Sequence, residues 1–283
     1  MPLLFPGRAG IMRRVGEIRG YRSFIVLKVA SFNANGIRAR MPILMEWTKK
    51  EAPDVLCIQE TKVQDPDFPE APFDDQGYHC SFKGEKSYNG VAILSRRKPE
   101  KVTIGFQIED ASEEARLIMC RINGIAIVNT YVPQGQDPDS DKFIYKLNWL
   151  KRLKAYFDQH FTPQDSLIWT GDFNIAPEPI DVYDPDTLLG SVCYHPKEHE
   201  TLKAVKEWGF VDVFRRHNSE PKQYTFWDYR IPNSLKRGLG WRIDHLWATR
   251  SLAEKSKTAW IDVDARLLPR PSDHTFLVAE FGV

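Results

Sequence analysis

The chain has 283 residues, of which 42% are hydrophobic and 27% charged, and its 39 Lys and Arg nearly cancel its 38 Asp and Glu, leaving a formal net charge of +1. This composition is typical of a globular protein with a sizeable core, and it excludes disordered and collagen-like chains. No apolar run approaches the roughly 18 residues of a membrane-spanning helix, and the charge balance excludes a protein that coats nucleic acid through bulk positive charge.

The chain opens with an arginine-rich stretch, because residues 1–26 hold five arginines and a single glutamate. This stretch lacks the apolar segment and cleavage site of a secretory signal. We predict that residues 1–22 form a flexible N-terminal extension; an upstream start site and an organelle transit peptide are the alternatives. From residue 23 to residue 283 no Gly/Ser/Pro-rich linker interrupts the pattern, which predicts one domain.

Apolar and β-branched runs predict a series of strands, the first at residues 24–30. Later runs predict strands at residues 55–59, 91–94, 118–122, 125–131, 167–170, 243–248 and 275–281. A shorter run at residues 210–214 is also strand-like. These strands account for most of the predicted core.

Two helices are predicted between the later strands. The first covers residues 141–161, where one apolar stripe is formed at helical spacing by Phe143, Leu147, Leu150, Leu153 and Phe157. The second covers residues 198–208 and ends at Gly209, the residue type that helix C-termini favour. The alternation of strands and helices predicts the α/β class.

The four cysteines lie far apart and form no CxxC pair. Each lies in or beside a mostly apolar stretch, at positions 57, 80, 120 and 193. We therefore predict reduced, buried thiols in a cytoplasmic protein.

Polar residues stand repeatedly at or just beyond the ends of the predicted strands, where α/β folds gather their sites. A carboxylate cluster with a histidine suits a hard, oxygen-preferring cation and acid–base chemistry, whereas no Cys/His group has zinc-ligand spacing. Taken singly, each residue is more typical of a turn or a cap, so only their co-occurrence indicates a site. The set comprises Asn33, Asn35, Glu60, Tyr131, Asp172, Asn174, Asp244, His245, Asp273 and His274.

Seven short segments occur in one fixed order: SFNANGIRAR (31–40), IQETK (58–62), YNGVA (88–92), NTYVPQG (129–135), GDFN (171–174), GWRID (240–244) and SDH (272–274). This ordered set resembles the exodeoxyribonuclease III family of abasic-site endonucleases, within the endonuclease/exonuclease/phosphatase superfamily, and its prokaryotic members most closely. The resemblance implies a four-layer α/β sandwich, with two mostly antiparallel sheets face to face and helices outside. It also implies hydrolysis of the phosphodiester 5′ to an abasic site, leaving a 3′ hydroxyl.

The resemblance further implies a role for each site residue. Mg²⁺, with Mn²⁺ as a substitute, would be bound by Glu60, Asn33 and Asp273. Asp172 would orient the attacking water, and His274, held by Asp244, would contact the scissile phosphate; which of Asp172 and His274 is the base stays open. Asn174 and Tyr131 would donate hydrogen bonds to the phosphate.

Substrate selection requires a second group of residues. By resemblance, a compact apolar pocket for a flipped-out sugar without its base is lined by Phe226, Trp241 and Ile243, which without the resemblance would be typical core residues. The loop at residues 229–240 carries three cations and no acid and leads into Trp241, so we predict that it contacts DNA. The predicted DNA-binding residues are Arg38, Lys62, Gln134, Arg230, Lys236, Arg237 and Arg242.

The predicted partner is double-stranded DNA with abasic or 3′-blocked lesions, bound by a monomer that associates with the nucleoid when it acts. The balance between endonuclease and 3′→5′ exonuclease activity stays open. Two alternatives are a superfamily phosphatase or phosphodiesterase acting on inositol phosphates or phospholipid, and a catalytically silent relative that only binds nucleic acid. The first is disfavoured because Ile175 and Ala176 stand where inositol phosphatases carry an arginine, and the second because every predicted catalytic residue is present.

Overall fold

The computed structural model describes residues 26–107 and 114–283. In this part of the chain, twelve strands form two six-stranded sheets. The first sheet has the order β11-β12-β1-β2-β4-β3 and the second has the order β5-β6-β7-β8-β10-β9. The strands are β1 (Val26–Asn33), β2 (Val55–Gln59), β3 (His79–Lys83), β4 (Val91–Ser95), β5 (Lys101–Ile104), β6 (Leu117–Ile122), β7 (Ile125–Tyr131), β8 (Leu167–Asp172), β9 (Phe210–Asp212), β10 (Asp244–Thr249), β11 (Ser256–Asp262) and β12 (Phe276–Gly282).

Three long helices and several short ones connect the strands. The longest is α3, with 20 residues, followed by α1 with 15 and α5 with 11. Among the described residues the α-helices are α1 (Ile37–Glu51), α2 (Ala71–Asp74), α3 (Asp141–His160), α4 (Pro185–Leu188), α5 (Pro196–Lys206), α6 (Val213–His217), α7 (Ser234–Arg237) and α8 (Arg250–Ala253). None of them is long and apolar enough to cross a membrane.

Each sheet has one parallel strand pair, β1–β2 in the first and β7–β8 in the second, and its other neighbours are antiparallel. Because side chains alternate along a strand, each strand contributes to two layers. Val29 and Ile127 pack between the sheets, whereas Ala30 packs under α1 and Val128 under α3. The predicted four-layer sandwich of mostly antiparallel sheets is confirmed.

Helix α3 begins at the predicted residue, Asp141, and ends at His160, one residue before the predicted end. The Ser140 hydroxyl caps it by accepting a hydrogen bond from the Phe143 amide at 3.2 Å, which satisfies a donor that the first turn leaves unpaired. Most of the predicted stripe is buried, but Leu147 is only half-buried and Lys146 is completely buried beside it.

The strands missed by the sequence analysis, β3, β5 and β11, lie at or beside sheet edges and bury little of their surface. Helix α1 was also missed. The strand predicted at residues 210–214 is too long, because the Asp212 carboxylate accepts a hydrogen bond from the Arg215 amide at 3.1 Å and so begins α6. The predicted N-terminal extension lies outside the described residues.

Candidate active site

The predicted site residues meet at one edge of the sandwich. Parallel strands end at the same edge, so Asn33, at the end of β1, lies beside Glu60, which follows β2, and Tyr131 is paired in register with Asp172. Asp244 begins the antiparallel strand β10 directly opposite Asp172. The register of both sheets therefore places these side chains at one end of the molecule.

A glycine allows the close approach of β7 and β8 at this point. Gly171 has φ of +133°, and a Cβ there would lie 2.0 Å from the Thr130 carbonyl oxygen. Any larger residue would push the strands apart. Tyr131 and Asp172 are adjacent because residue 171 is glycine.

The Asn33 amide joins the two sheets. Its Nδ2 donates to Glu60 Oε1 and to Asp172 Oδ2, both at 2.8 Å, and its Oδ1 accepts from the Asn35 amide at 2.9 Å. Burial raises the pKa of Glu60, but the Lys62 ammonium at 2.7 Å and the Asn33 hydrogen bond outweigh burial and lower it. Glu60 is therefore ionised at neutral pH.

His274 is buried between two carboxylates. Its Nδ1 lies 2.7 Å from Asp244 Oδ2, and its Nε2 lies 3.8 Å from Asp172 Oδ2. Burial lowers the pKa of His274, but Asp244 and Asp172 outweigh it and raise the pKa to about 10. Burial, with Asp244 and Glu60, raises the pKa of Asp172 to about 7 despite His274. Without a metal ion, this pair thus favours a cationic imidazole.

Tyr131 and Asn174 complete the polar wall. Burial, with Glu60 and Asp172 nearby, raises the pKa of Tyr131 well above its ordinary value, so its hydroxyl remains a donor. Asn174 has left-handed backbone (φ 51°), and its amide N–H donates to Asp172 Oδ1 at 2.8 Å. Arg116, whose guanidinium lies 4.7 Å from the Tyr131 ring centre, was missed because nothing in the sequence pattern marks it.

The donor set fits a hard divalent cation. Ligand atoms of Glu60 and Asp172 lie within 4.8 Å of each other and of a His274 nitrogen, and the two carboxylates, rather than the cationic imidazole, supply the oxygen ligands that such ions prefer. Of the other two predicted ligands, Asp273 lines the same cleft and accepts from Asn35 Nδ2 at 3.0 Å. Asn33 turns its nitrogen, not its oxygen, toward Glu60.

A cleft of about 700 Å³ opens beside this cluster. The three predicted pocket residues, Phe226, Trp241 and Ile243, line it. Phe226 and Trp241 exchange two backbone hydrogen bonds of 2.9 Å, and the Phe226 ring centre lies 4.8 Å from that of His274. The apolar wall therefore adjoins the charged cluster. The cleft is also lined by Tyr183, Leu188 and Val192, which could not be predicted because they belong to no recognisable motif.

The predicted DNA-binding residues have different surroundings. Gln134 and Arg230 line the cleft, Arg230 paired with Asp228 at 2.7 Å. Lys62 is turned inward to Glu60. Three others are exposed but do not line the cleft: Arg38, paired with Asp67, and Lys236 and Arg237 on α7.

The prediction that Arg242 contacts DNA is wrong. Its side chain is completely buried, with Nε 2.7 Å from Asp181 Oδ1 and Nη2 2.8 Å from Asp212 Oδ2. Its Nη1 donates to His245 Nδ1 at 3.0 Å; burial, then Arg242, lowers the pKa of His245 to about 3, so the imidazole is neutral. Arg242 stabilises the protein beneath the cleft instead.

Comparison with known proteins agrees with this arrangement. The endonuclease/exonuclease/phosphatase family matches residues 30–274, which include the whole cluster and the apolar wall. The chain therefore belongs to this family of hydrolases.

Individual relatives show to which group within this family the chain is similar. Exodeoxyribonuclease III of Haemophilus influenzae is 31% identical over 267 residues, which are 90% of this chain and all of the relative. An AP endonuclease from Archaeoglobus fulgidus has a TM-score of 0.87 at 46% identity, and a 3′-5′ exonuclease from Neisseria meningitidis has the same TM-score at 34% identity; each alignment covers 91% of this chain and the whole neighbour. Within the family, the chain thus groups with the exodeoxyribonuclease III phosphodiesterases, as its motifs indicated.

Proposed function

We propose that this protein is a DNA-repair enzyme that hydrolyses the phosphodiester 5′ to an abasic site and leaves a 3′ hydroxyl. The observation that carries the proposal is the contact, within one cleft, between a phosphodiesterase cluster (Glu60, Asp172, His274) and an apolar wall (Phe226, Trp241). The cluster supports the chemistry, and the wall supports the choice of lesion.

The geometry of the pair and the pKa directions in the metal-free site support a division of the acid–base roles. His274, cationic between two carboxylates, donates from Nε2 to a phosphate oxygen and stabilises the charge that develops there. Asp172, with its pKa raised to about 7, accepts a proton from the attacking water. We therefore assign the base to Asp172 and the electrostatic role to His274.

Other residues bind and orient the phosphate. Asn174 Nδ2 donates to the Val132 carbonyl at 2.9 Å, which fixes the amide beside Asp172, and the neutral Tyr131 hydroxyl donates from the end of the neighbouring strand β7. We propose Mg²⁺, with Mn²⁺ as a substitute, bound by Glu60 with Asp273 nearby. When bound, the ion neutralises phosphate charge and lowers the pKa of water.

The apolar wall selects the substrate by size. A deoxyribose without a base fits against Phe226, Trp241 and Ile243. A nucleotide that keeps its base would need more space, and the polar groups of the base would lie unpaired against the apolar wall. Backbone contacts come from Gln134 and Arg230 at the cleft.

Related proteins support a second activity at DNA 3′ ends. One structural neighbour is a 3′-5′ exonuclease from Neisseria meningitidis, and another is a Neisseria 3′ phosphatase bound to product DNA hairpin. We therefore propose that this chain also removes 3′ nucleotides or 3′ blocks from duplex DNA, as a monomer. The four cysteines are free thiols, which supports a cytoplasmic location; we further propose that the protein associates with the nucleoid when it acts on DNA.

The test is a duplex oligonucleotide with one tetrahydrofuran lesion, compared with undamaged and 3′-phosphate duplexes, with Mg²⁺ or EDTA. We expect lesion-dependent, EDTA-sensitive incision that is lost in Glu60→Gln. The matched control, Glu46→Gln on the exposed face of α1, retains full activity. If Glu60→Gln cuts the lesion-bearing duplex as fast as the parent, the proposed site is wrong. If the protein releases phosphate from inositol phosphates and does not cleave DNA, the proposed substrate is wrong.

A further inference from the structure

A completely buried ion pair lies behind the cleft. It joins Lys146, on the inner face of α3, to Glu198, in the first turn of α5, and neither side chain is exposed to any degree. Neither residue lines the cleft. No motif of the sequence analysis includes either residue.

The lysine ammonium reaches the backbone of two cleft segments. Its Nζ donates to the Asn174 carbonyl at 2.7 Å and to the Gln134 carbonyl at 3.1 Å, and its third hydrogen bond goes to Glu198 Oε1. All three ammonium donors are therefore satisfied. Lys146 fixes, from behind, the chain segments that present Asn174 and Gln134 to the cleft.

The carboxylate of Glu198 holds the next segment. Its Oε1 accepts from the Cys193 amide at 3.2 Å and its Oε2 accepts from the His195 amide at 3.0 Å. The Cys193 carbonyl in turn accepts from the Ala176 amide at 2.7 Å. The chain leaving Asn174 is thus bound to the same ion pair twice, once directly and once through Cys193.

Two further observations show how closely the pair is fitted to this loop. Gly135 has φ of +98°, and a Cβ there would lie 3.2 Å from Lys146 Cδ, so the lysine side chain runs directly beneath the loop. Asn174 is in the left-handed region, which few non-glycine residues adopt. Its amide is held by Asp172 and its carbonyl by Lys146, so both ends of the residue are fixed.

We propose that the Lys146–Glu198 pair is a positioning device that holds Asn174 in the orientation needed for phosphate binding. A buried ion pair adds little stability over apolar side chains of equal volume, because desolvation offsets the attraction. The contribution of the pair is geometric. It fixes the backbone carbonyl of Asn174, and so orients the side-chain amide of the same residue, which must contact the transition state. The inference rests on the proposed role of Asn174.

A double-mutant cycle with kcat as the readout tests this. Lys146→Met keeps a side chain of similar length and removes the three hydrogen bonds of the ammonium group. Asn174→Ala removes the side-chain amide. We expect each single variant to lower kcat on lesion-bearing duplex by about tenfold or more, since displacement of an active-site group by 1 Å costs up to about 100-fold. In the Asn174→Ala background, Lys146→Met should lower kcat less than about twofold.

Additional variants keep the test informative if Lys146→Met folds poorly. Lys146→Met/Glu198→Gln removes both charges together, and Ile125→Ala truncates the core at the opposite end of β7 as a stability control. The salt slope of DNA binding should be unchanged in Lys146→Met, because a buried lysine touches no phosphate; a slope reduced by about 0.9 per contact overturns the proposal. The proposal is also overturned if the effects of Lys146→Met and Asn174→Ala on kcat are additive, or if Ile125→Ala lowers kcat as much as Lys146→Met does. If Asn174→Ala alone leaves kcat unchanged, its proposed role fails as well.

Discussion

Replacement of Arg242 by alanine tests whether the residue stabilises the fold or binds DNA. Among the described residues, the change removes the one side-chain cation hydrogen-bonded to Asp212 and leaves Arg215 as the one cation paired with Asp181. It also deprives His245 Nδ1 of its donor. Breaking a buried ion pair on one side costs about 3–5 kcal/mol, which is a large part of the about 5–15 kcal/mol that stabilises a typical protein.

The assay is urea unfolding followed by tryptophan fluorescence, with the eight tryptophans as reporters. The control is Arg237→Ala, an exposed residue of α7 whose loss should change the unfolding free energy by no more than about 0.5 kcal/mol. The reasoning is refuted if Arg242→Ala unfolds within about 1 kcal/mol of the parent while its DNA-binding salt slope falls by about 0.9, the value of one lost phosphate contact.

Three further predictions concern the pocket, acid stability and the basic loop. Trp241→Ala should lower kcat/KM on lesion-bearing duplex at least about tenfold more than on undamaged 3′ ends, since about one to three kcal/mol of pocket contact selects the abasic sugar; equal losses would make Trp241 a packing residue. Burial raises the pKa values of Asp181 and Asp212, but Arg242 outweighs it and holds both below 3.8. The two ionised carboxylates therefore contribute fully to the unfolding free energy above pH 3.8, and this contribution is lost as the pH falls through their lowered pKa values. A urea unfolding midpoint that does not change below pH 3.8 contradicts this prediction. Lys236→Ala/Arg237→Ala should reduce the salt slope by about one to two without changing lesion preference, and a changed preference would place the loop at the lesion itself.

The buried strands and the site residues at their ends could be predicted from sequence for a physical reason. A strand covered on both faces, such as β2 or β7, is apolar throughout, and its first polar neighbour marks the sheet edge. The edge strand β5 has four residues, of which three are exposed, so it contains no buried apolar run and its pattern resembles that of a loop. Helix α1 packs several apolar residues against the sheet, but it contains Pro42, a residue type that interrupts most helices and so weakened the helical signal.

The burial of Arg242 is a feature that the sequence motif alone did not indicate. In the extended segment from residue 241 to residue 243, Trp241 and Ile243 face the cleft, so the residue between them faces the opposite side. The alternation rule therefore places Arg242 away from the cleft, where the structure buries it, and the family motif does not. Lys146 is a harder case, because its partner Glu198 is distant in sequence and only the folded chain brings the two charges together.

The hydrogen bond from Asn33 to Asp172 crosses from one sheet to the other. Neither sheet alone contains all of the proposed site groups: Glu60 follows a strand of one sheet and Asp172 ends a strand of the other. A chain on which only one sheet has formed is thus unable to cut DNA. Cleavage competence therefore requires the two sheets to be docked against each other.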